Sequence, residues 1–137
     1  MPQQNPDTNI IALDIGDATI GVARGNIVAR IPEPLQPFAN NAKFVDNLNQ
    51  LLKDQNTKTV VIGIPRNMSG EETGQSSKIR DFVQELKQKT GDVKYVFVDE
   101  SLSSNRADEY LKNNKINASQ DSVAACYILQ EYFTINH

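Results

Sequence analysis

The sequence has almost none of the histidine and cysteine on which many catalytic and metal sites depend. Of its 137 residues, only Cys126 is a cysteine, and the only histidine is the last residue, His137. A single cysteine forms no internal disulfide, which favours a reducing cytoplasm. The composition therefore argues against a zinc site, a thiol nucleophile and a histidine-dependent triad.

The sequence also has no excess of positive charge. Its 14 Lys and Arg residues against 17 Asp and Glu residues give a formal net charge of -3. This balance offers no electrostatic argument for a nucleic-acid partner, although it permits a local phosphate site or one that works through a bound cation. No basic segment leads into an apolar run, and no apolar run is long enough to span a bilayer. We therefore expect a cytoplasmic protein without a signal peptide or membrane segment.

The apolar pattern predicts a chain in which strands come first and then alternate with helices. Strands are predicted at residues 9–14, 18–26, 27–31, 57–65 and 92–100, with an irregular proline-rich connection after residue 31. Helices are predicted at 41–55, along the stripe of Ile79, Phe82, Val83 and Leu86 up to Gly91, and in a last region divided between 103–114 and 119–133. This order favours a mixed sheet with helices on its faces. We expect one domain over residues 1–137, with 1–8 as a flexible N-terminal segment.

Four carboxylates stand at the ends of predicted elements, next to apolar residues. They are Asp14, Asp99, Glu100 and Asp121. Element ends on a rigid sheet are where α/β proteins assemble their sites. Clustered carboxylates repel one another, so their natural use is to hold a divalent cation through oxygen ligands. Two such ions about 4 Å apart can activate water and stabilise the leaving oxygen of a phosphodiester.

The same carboxylates have purely structural interpretations. Asp14, just before Gly16, is also what a turn aspartate that bonds its own backbone would look like. Asp121 in the first turn of a helix complements the helix dipole, and Asp99 with Glu100 also suits a solvated strand end. Spacing alone leaves both interpretations open.

Basic residues and glycines near the predicted site allow the same two interpretations. The basic residues either are ordinary solvated charges or position phosphates; they are Arg66, Lys78, Arg80 and Arg106. The stretch "GDATIG" matches neither a Walker motif nor a dinucleotide fingerprint, so its glycines are interpreted as hairpin and packing residues.

Four motifs in order resemble the YqgF (RuvX-like) family of Holliday junction resolvases, also described as pre-16S rRNA nucleases. They are "LDIGDATIGVA", "VVIGIPRNMSGEETGQSSKIRDF", "VFVDESLSS" and "DSVAACYILQEYF", and the resemblance runs from about Ile10 to Phe133. It implies a single RNase H-like nuclease domain of the α/β class, with a mixed five-stranded sheet flanked by helices and Asp14 on the central first strand.

The resemblance also implies a site and its partners. Asp14, Glu100 and Asp121 match a catalytic trio that binds Mg²⁺ or Mn²⁺, whereas Asp99 is the weaker candidate of the acidic pair. The expected substrate is structured nucleic acid, either an rRNA precursor or branched DNA. We expect Arg66, Lys78 and Arg106 to position its phosphates, and the chain to be a monomer or a homodimer.

Two positions depart from the family pattern. Thr19 stands where the family usually has arginine before the isoleucine-glycine pair, and Ser101 stands where arginine commonly follows the acidic pair. Both departures remove a cation beside a site that must hold a polyanion. They favour an alternative function, a module that binds nucleic acid or protein with weak or no catalysis. An actin-like ATPase is disfavoured, because that architecture needs two such domains around a nucleotide.

Overall fold

A five-stranded mixed sheet with strand order β3-β2-β1-β4-β5 forms the centre of the molecule. The computed structural model describes residues 8–65, 71, 73–100 and 120–136, without the side chains of Glu100 and Gln120. The strands are β1 (Asn9–Ile15), β2 (Thr19–Asn26), β3 (Glu33–Ala39), β4 (Thr59–Pro65) and β5 (Lys94–Glu100). β1, β2 and β3 form an antiparallel meander, and β4 and β5 run parallel to β1. The carboxyl ends of β1, β4 and β5 therefore meet at one edge of the sheet.

Helices cover both faces of this sheet. They are α1 (Phe44–Asp54), α2 (Gly74–Lys89) and α3 (Gln120–Ile135). Leu13 and Ile15 of β1 pack in one core with α1 and α2, whereas Ile10 and Ala12 pack in a second core with α3. Because successive strand residues point to opposite faces, β1 divides its side chains between the two cores.

The predicted order of elements is confirmed over the described residues, and the predicted helix at 103–114 lies outside them. The predicted strand at 27–31 is wrong, as is the irregular connection after it. Residues 27–29 form a turn, in which the side chain of Asn26 accepts hydrogen bonds from the amides of Val28 at 2.8 Å and Ala29 at 3.3 Å. The third strand is instead β3, which contains Pro34 and Pro37.

Prolines fit β3 because it is an edge strand. Among the described strands β3 pairs with β2 alone, so a proline whose nitrogen faces the other side of β3 removes no ladder hydrogen bond. The pairing of β2 with β3 changes register between Ile20 and Val22, whose partners are Phe38 and Leu35. The β3 side therefore has one more residue than the β2 side there, and Pro37 lies in this longer segment. The strand thus accommodates its prolines at its free side and at a bulge.

The start of the described chain is tied to the β2–β3 turn. The carbonyl of Thr8 accepts a hydrogen bond from the amide of Ile27 at 2.8 Å, and its hydroxyl accepts one from Asn26 at 3.1 Å. The predicted flexible segment is therefore anchored at its last residue, and residues 1–7 lie outside the described part. No helix among the described residues has both the length and the apolar character needed to cross a membrane.

Candidate active site

Asp14 lies near the carboxyl end of β1, the central strand of the sheet, as predicted. Its neighbours Leu13 and Ile15 point into the core under α1 and α2, so Asp14 lies on the opposite face, the one covered by α3. The residue is half-buried. A rigid strand thus presents a carboxylate at the sheet edge, immediately before the turn into β2.

That turn is closed by backbone and amide groups. The amide of Gly16 donates to the carbonyl of Thr19 at 3.0 Å, and the side chain of Asn40 donates to the carbonyl of Gly16 at 2.8 Å. A Cβ at Gly16 would lie 2.7 Å from the Thr19 oxygen, so this turn requires glycine. The prediction of a hairpin glycine is confirmed here.

The first turn of α3 lies directly on β2, at Gly21. A Cβ at Gly21 would overlap the carbonyl group of Asp121 and would lie 2.8 Å from the amide nitrogen of Ser122. Gly21 is also the register partner of Asp14 across the β1–β2 ladder. The structure therefore brings the predicted ligands Asp14 and Asp121 to adjacent backbone positions, with Asp121 exposed.

The acidic pair at the end of β5 is divided between the two faces of the sheet. Asp99 lies two and four residues after Phe97 and Tyr95, so it shares their face of the sheet, the one covered by α1 and α2. Asp99 is exposed. Position 100 lies two and four residues after Val98 and Val96, so it is on their face of the sheet, the one covered by α3. The side chain of Glu100 lies outside the described part, but its backbone is in register with Pro65 at the same sheet edge. Of the pair, position 100 is the one that shares a face with Asp14.

Side chains capable of holding a metal are only partly described. Among the residues that the structure describes, no group of three or more His, Cys, Asp or Glu side chains is placed to hold an ion. Asp14 and Asp121 are two carboxylates of the predicted trio, and the side chain of the third, Glu100, lies outside the described part. Cys126 is buried, and this burial, reinforced by the negative charge of Glu33, raises the pKa of its thiol to about 12. The thiol is thus a small core residue, as predicted, and not a nucleophile.

The α2 side of the same sheet edge carries the predicted cation Lys78. The side chains of Asp17, Gln75 and Lys78 supply polar groups to a cavity of about 150 Å³ between the β1–β2 turn and α2. Lys78 is exposed, in the second turn of the helix. Arg66, Ser101 and Arg106 lie outside the described residues.

The amino end of α2 is fixed to the end of β4. Thr73 and Ser76 form a capping box, and the buried hydroxyl of Ser76 donates a hydrogen bond to the carbonyl of Pro65. The first turn of α2 contains no acidic residue. Further along the helix, the guanidinium of Arg80 lies 4.7 Å from the ring centre of Phe97, in a cation–π contact.

Ser122 and the close contact at Gly21 were not identified from the sequence. The motif shows Gly21 as a packing residue, but the partner it packs against lies about a hundred residues further along the chain, in α3. Ser122 follows Asp121 without any pattern that marks it.

Two relatives that carry the same name are similar to this chain over most of its length. A relative from Fusobacterium nucleatum named "Putative pre-16S rRNA nuclease" is 40% identical over 129 residues, which cover 89% of this chain and 94% of the relative. A protein of the same name from a Sulfurihydrogenibium species is 35% identical, covering 91% of this chain and 89% of its own length.

Solved structures of Holliday junction resolvases share the fold. RuvC of T. thermophilus, solved in complex with a Holliday junction substrate, superimposes with a TM-score of 0.56 at 10% identity, covering 93% of this chain and 94% of that one. The fowlpox virus Holliday junction resolvase gives a TM-score of 0.56 at 15% identity, covering 93% and 99%. These likenesses confirm the predicted RNase H-like α/β fold with a mixed five-stranded sheet flanked by helices.

The family assignment rests on nearly the whole chain. The profile of the family described as "RuvX: Holliday junction resolvase" matches residues 8–135, a range that spans β1, the acidic end of β5 and α3. The chain belongs to the RuvX family.

Proposed function

We propose that this protein is a divalent-metal-dependent nuclease that hydrolyses phosphodiester bonds in structured nucleic acid. The observation that carries the proposal is the approach of α3 to β2 at Gly21, which sets Asp121 beside the register partner of Asp14. Glu100 is proposed as the third carboxylate, because its strand position alternates onto the same face. The names of the relatives, which point to nucleases, support the same reaction.

The donor set suits a hard divalent cation. Asp14 and Asp121 offer oxygen ligands, the kind that Mg²⁺ and Mn²⁺ prefer, and the only described thiol is buried with a raised pKa. Carboxylates that converge on one site repel one another, so a bound cation would compensate their negative charge. We therefore infer that Asp14, Glu100 and Asp121 hold Mg²⁺ or Mn²⁺. When bound there, the cation would supply Lewis-acid polarisation of the scissile phosphate and would lower the pKa of a coordinated water.

The substrate phosphates would be positioned by the α2 side of the sheet edge. The amino end of α2 is held against β4, its first turn has no acidic residue, and Lys78 is exposed one turn later. Backbone amides at a helix amino end together with a lysine favour phosphate oxygens. Arg66 and Arg106 remain predicted contributors from the sequence. On a chain with a net charge of -3, such local groups must supply the attraction that overall charge does not.

A catalytically weak binding module is the second candidate function. Thr19 favours it, because Ile20 and Val22 point into the α1/α2 core and Thr19 therefore lies on the same face as Asp14. A neutral threonine stands there where the family pattern has a cation. The oligomeric state, monomer or homodimer, and the cytoplasmic location remain predictions.

Cleavage assays separate the two functions. The wild-type protein would be incubated with Mg²⁺ or Mn²⁺ and, separately, with EDTA, against single-stranded RNA, precursor 16S rRNA ends and four-way DNA junctions. The proposal expects cleavage that EDTA abolishes and that Asp14→Asn reduces by about a hundredfold or more. Asp92→Asn is the matched control, because the side chain of Asp92 is 99% exposed. Asp92 lies just before β5, at the amino ends of the parallel strands and away from the proposed site at their carboxyl ends. Binding without metal-dependent cleavage of any of the three substrates would favour the second function.

A further inference from the structure

We propose that Ser122 is a positioning residue, which holds Asp121 beside Asp14 by anchoring the first turn of α3 to β2. The anchor consists of the backbones of Gly21 and Val22 on β2, together with the backbone of Asp121 and the backbone and hydroxyl of Ser122 on α3. It is called the Gly21–Ser122 junction below. The inference rests on the proposed function, since it gives a reason for the spacing of two proposed metal ligands.

The polar part of the junction is a buried hydrogen bond. The amide of Val22 donates to the hydroxyl oxygen of Ser122 at 3.2 Å, and Ser122 has no exposed surface. The β2–β3 ladder is irregular at this point, where the register slips between Ile20 and Val22. A buried amide left without an acceptor is unfavourable, because water does not reach it to take the place of the lost partner. The hydroxyl of Ser122 thus satisfies a strand amide and in doing so fixes where α3 begins.

The second part of the junction is a close backbone contact that only glycine permits. With no side chain at Gly21, the carbonyl of Asp121 rests on the strand itself. Gly21 and Val22 are in turn the ladder partners of Asp14 and Leu13. Any displacement of the first turn of α3 along or away from β2 therefore changes the separation of the two carboxylates.

The position of Ser122 in α3 makes this role specific. Asp121 precedes it in the same helical turn, so the two residues move together as one rigid segment. The rest of α3 is held to the sheet by a large apolar surface that includes Ile128, Leu129 and Phe133. Loss of the Ser122 hydroxyl should consequently loosen the first turn while leaving the helix docked.

Three variants test the role. Ser122→Ala removes the acceptor without adding volume, and Ser122→Thr keeps a hydroxyl at the same place. Thr57→Ala is the matched control, because Thr57 is 5% exposed, its hydroxyl donates to the carbonyl of Gln55 at 3.0 Å, and it lies before β4 at the far edge of the sheet. For each variant we would measure Mn²⁺ affinity by calorimetry, the exchange rate of the Val22 amide by NMR, and kcat and KM for cleavage.

A positioning role gives a result that a merely structural role does not. Ser122→Ala should weaken Mn²⁺ binding by about 10- to 100-fold, the usual effect of losing a group that orients a metal ligand. Its Val22 amide should exchange faster, and kcat should fall while KM for the nucleic acid changes little. Ser122→Thr should restore the Mn²⁺ affinity, and Thr57→Ala should keep it even if its unfolding temperature drops. Should the added methyl group prevent Ser122→Thr from folding, the contrast between Ser122→Ala and Thr57→Ala still decides the question.

The outcomes distinguish this inference from the proposed function. A wild-type protein that binds Mn²⁺ and cleaves, with a Ser122→Ala variant that binds Mn²⁺ equally well, would overturn the positioning role and leave the proposed function standing. An unchanged Val22 exchange rate in Ser122→Ala would overturn it as well. A wild-type protein that neither binds Mn²⁺ nor cleaves would refute the proposed function and this inference together.

Discussion

The structure predicts that Gly21→Ala, which adds one methyl group, strongly lowers the free energy of unfolding. The new methyl carbon would overlap the carbonyl group of Asp121 and lie 2.8 Å from the nitrogen of Ser122, and both neighbours are backbone. Backbone atoms at the start of a docked helix do not rotate out of the way, so α3 or β2 must shift. Overpacking of this kind costs about 1–3 kcal/mol, and we expect about 3 kcal/mol here because both neighbours are backbone.

Gly25→Ala is the matched control for this prediction. Gly25 lies on the same strand and the same face, and its Cβ would meet side-chain atoms of Leu129 and Phe133 at 3.0 Å. Side chains can adjust by a few tenths of an ångström, so the cost should be about 1 kcal/mol. Both substitutions remove the same backbone freedom from the unfolded chain, which contributes about 0.4–1 kcal/mol in favour of alanine and cancels in the comparison.

Thermal unfolding and cleavage together measure the difference. For a domain of this size, about 1 kcal/mol lowers the melting temperature by about 3–5 °C, so Gly21→Ala should lose about 10 °C and Gly25→Ala only a few degrees. Because a displacement of about 1 Å at a catalytic constellation can cost about a hundredfold in rate, Gly21→Ala should also lose cleavage activity at temperatures where it is folded. Gly25→Ala should keep that activity. Equal losses of stability in the two variants, or wild-type cleavage by folded Gly21→Ala, would refute the reasoning.

Three further predictions address the metal, the substrate and the thiol. Asp14→Asn and Asp121→Asn should each reduce cleavage by about a hundredfold or more. The metal-free variants should be as stable as the wild type or slightly more stable, since one of two repelling carboxylates is neutralised. If Mn²⁺ raises the melting temperature of both variants as much as that of the wild type, the two residues are excluded as ligands. Thr19→Arg should tighten the binding of duplex DNA, measured across a salt series in an Asp14→Asn background that prevents cleavage. The slope of the logarithm of the binding constant against the logarithm of the salt concentration should steepen by about 0.9. Identical slopes with and without Thr19→Arg would show that position 19 does not face the substrate. Cys126, with a thiol pKa raised by burial to about 12, should resist thiol reagents at pH 8 in the folded protein and react after denaturation, and rapid labelling of the native protein would contradict its burial.

Within the described residues, the element that the sequence pattern misplaced shows why edge strands are hard to predict. Residues 27–31 have the β-branched and apolar character of a strand, yet Asn26 caps a turn there and Arg30 has a positive φ of 60°. Pro34 and Pro37 suggest a loop, yet they lie in β3. Proline is compatible with a strand only if one side needs no ladder partner, and whether a strand is at the edge depends on the order of all five.

The amino-acid sequence by itself determined the succession of strands and helices over most of the described residues, because apolar periodicity and local composition are properties of neighbouring residues. The central position of Asp14 and the choice of Asp14, Glu100 and Asp121 came from the resemblance of four ordered motifs to the RuvX family, and the roles of these carboxylates remain predictions. Spacing alone did not separate Asp99 from Glu100, and the family resemblance favoured Glu100. The tertiary structure adds a physical reason for that preference, because the cores under α2 and α3 show that positions 99 and 100 lie on opposite faces of the sheet, with position 100 on the face of Asp14. It likewise showed that Gly21 admits the start of α3 and so joins Asp14 to Asp121, since a close contact between backbones far apart in the chain leaves no periodicity in the sequence.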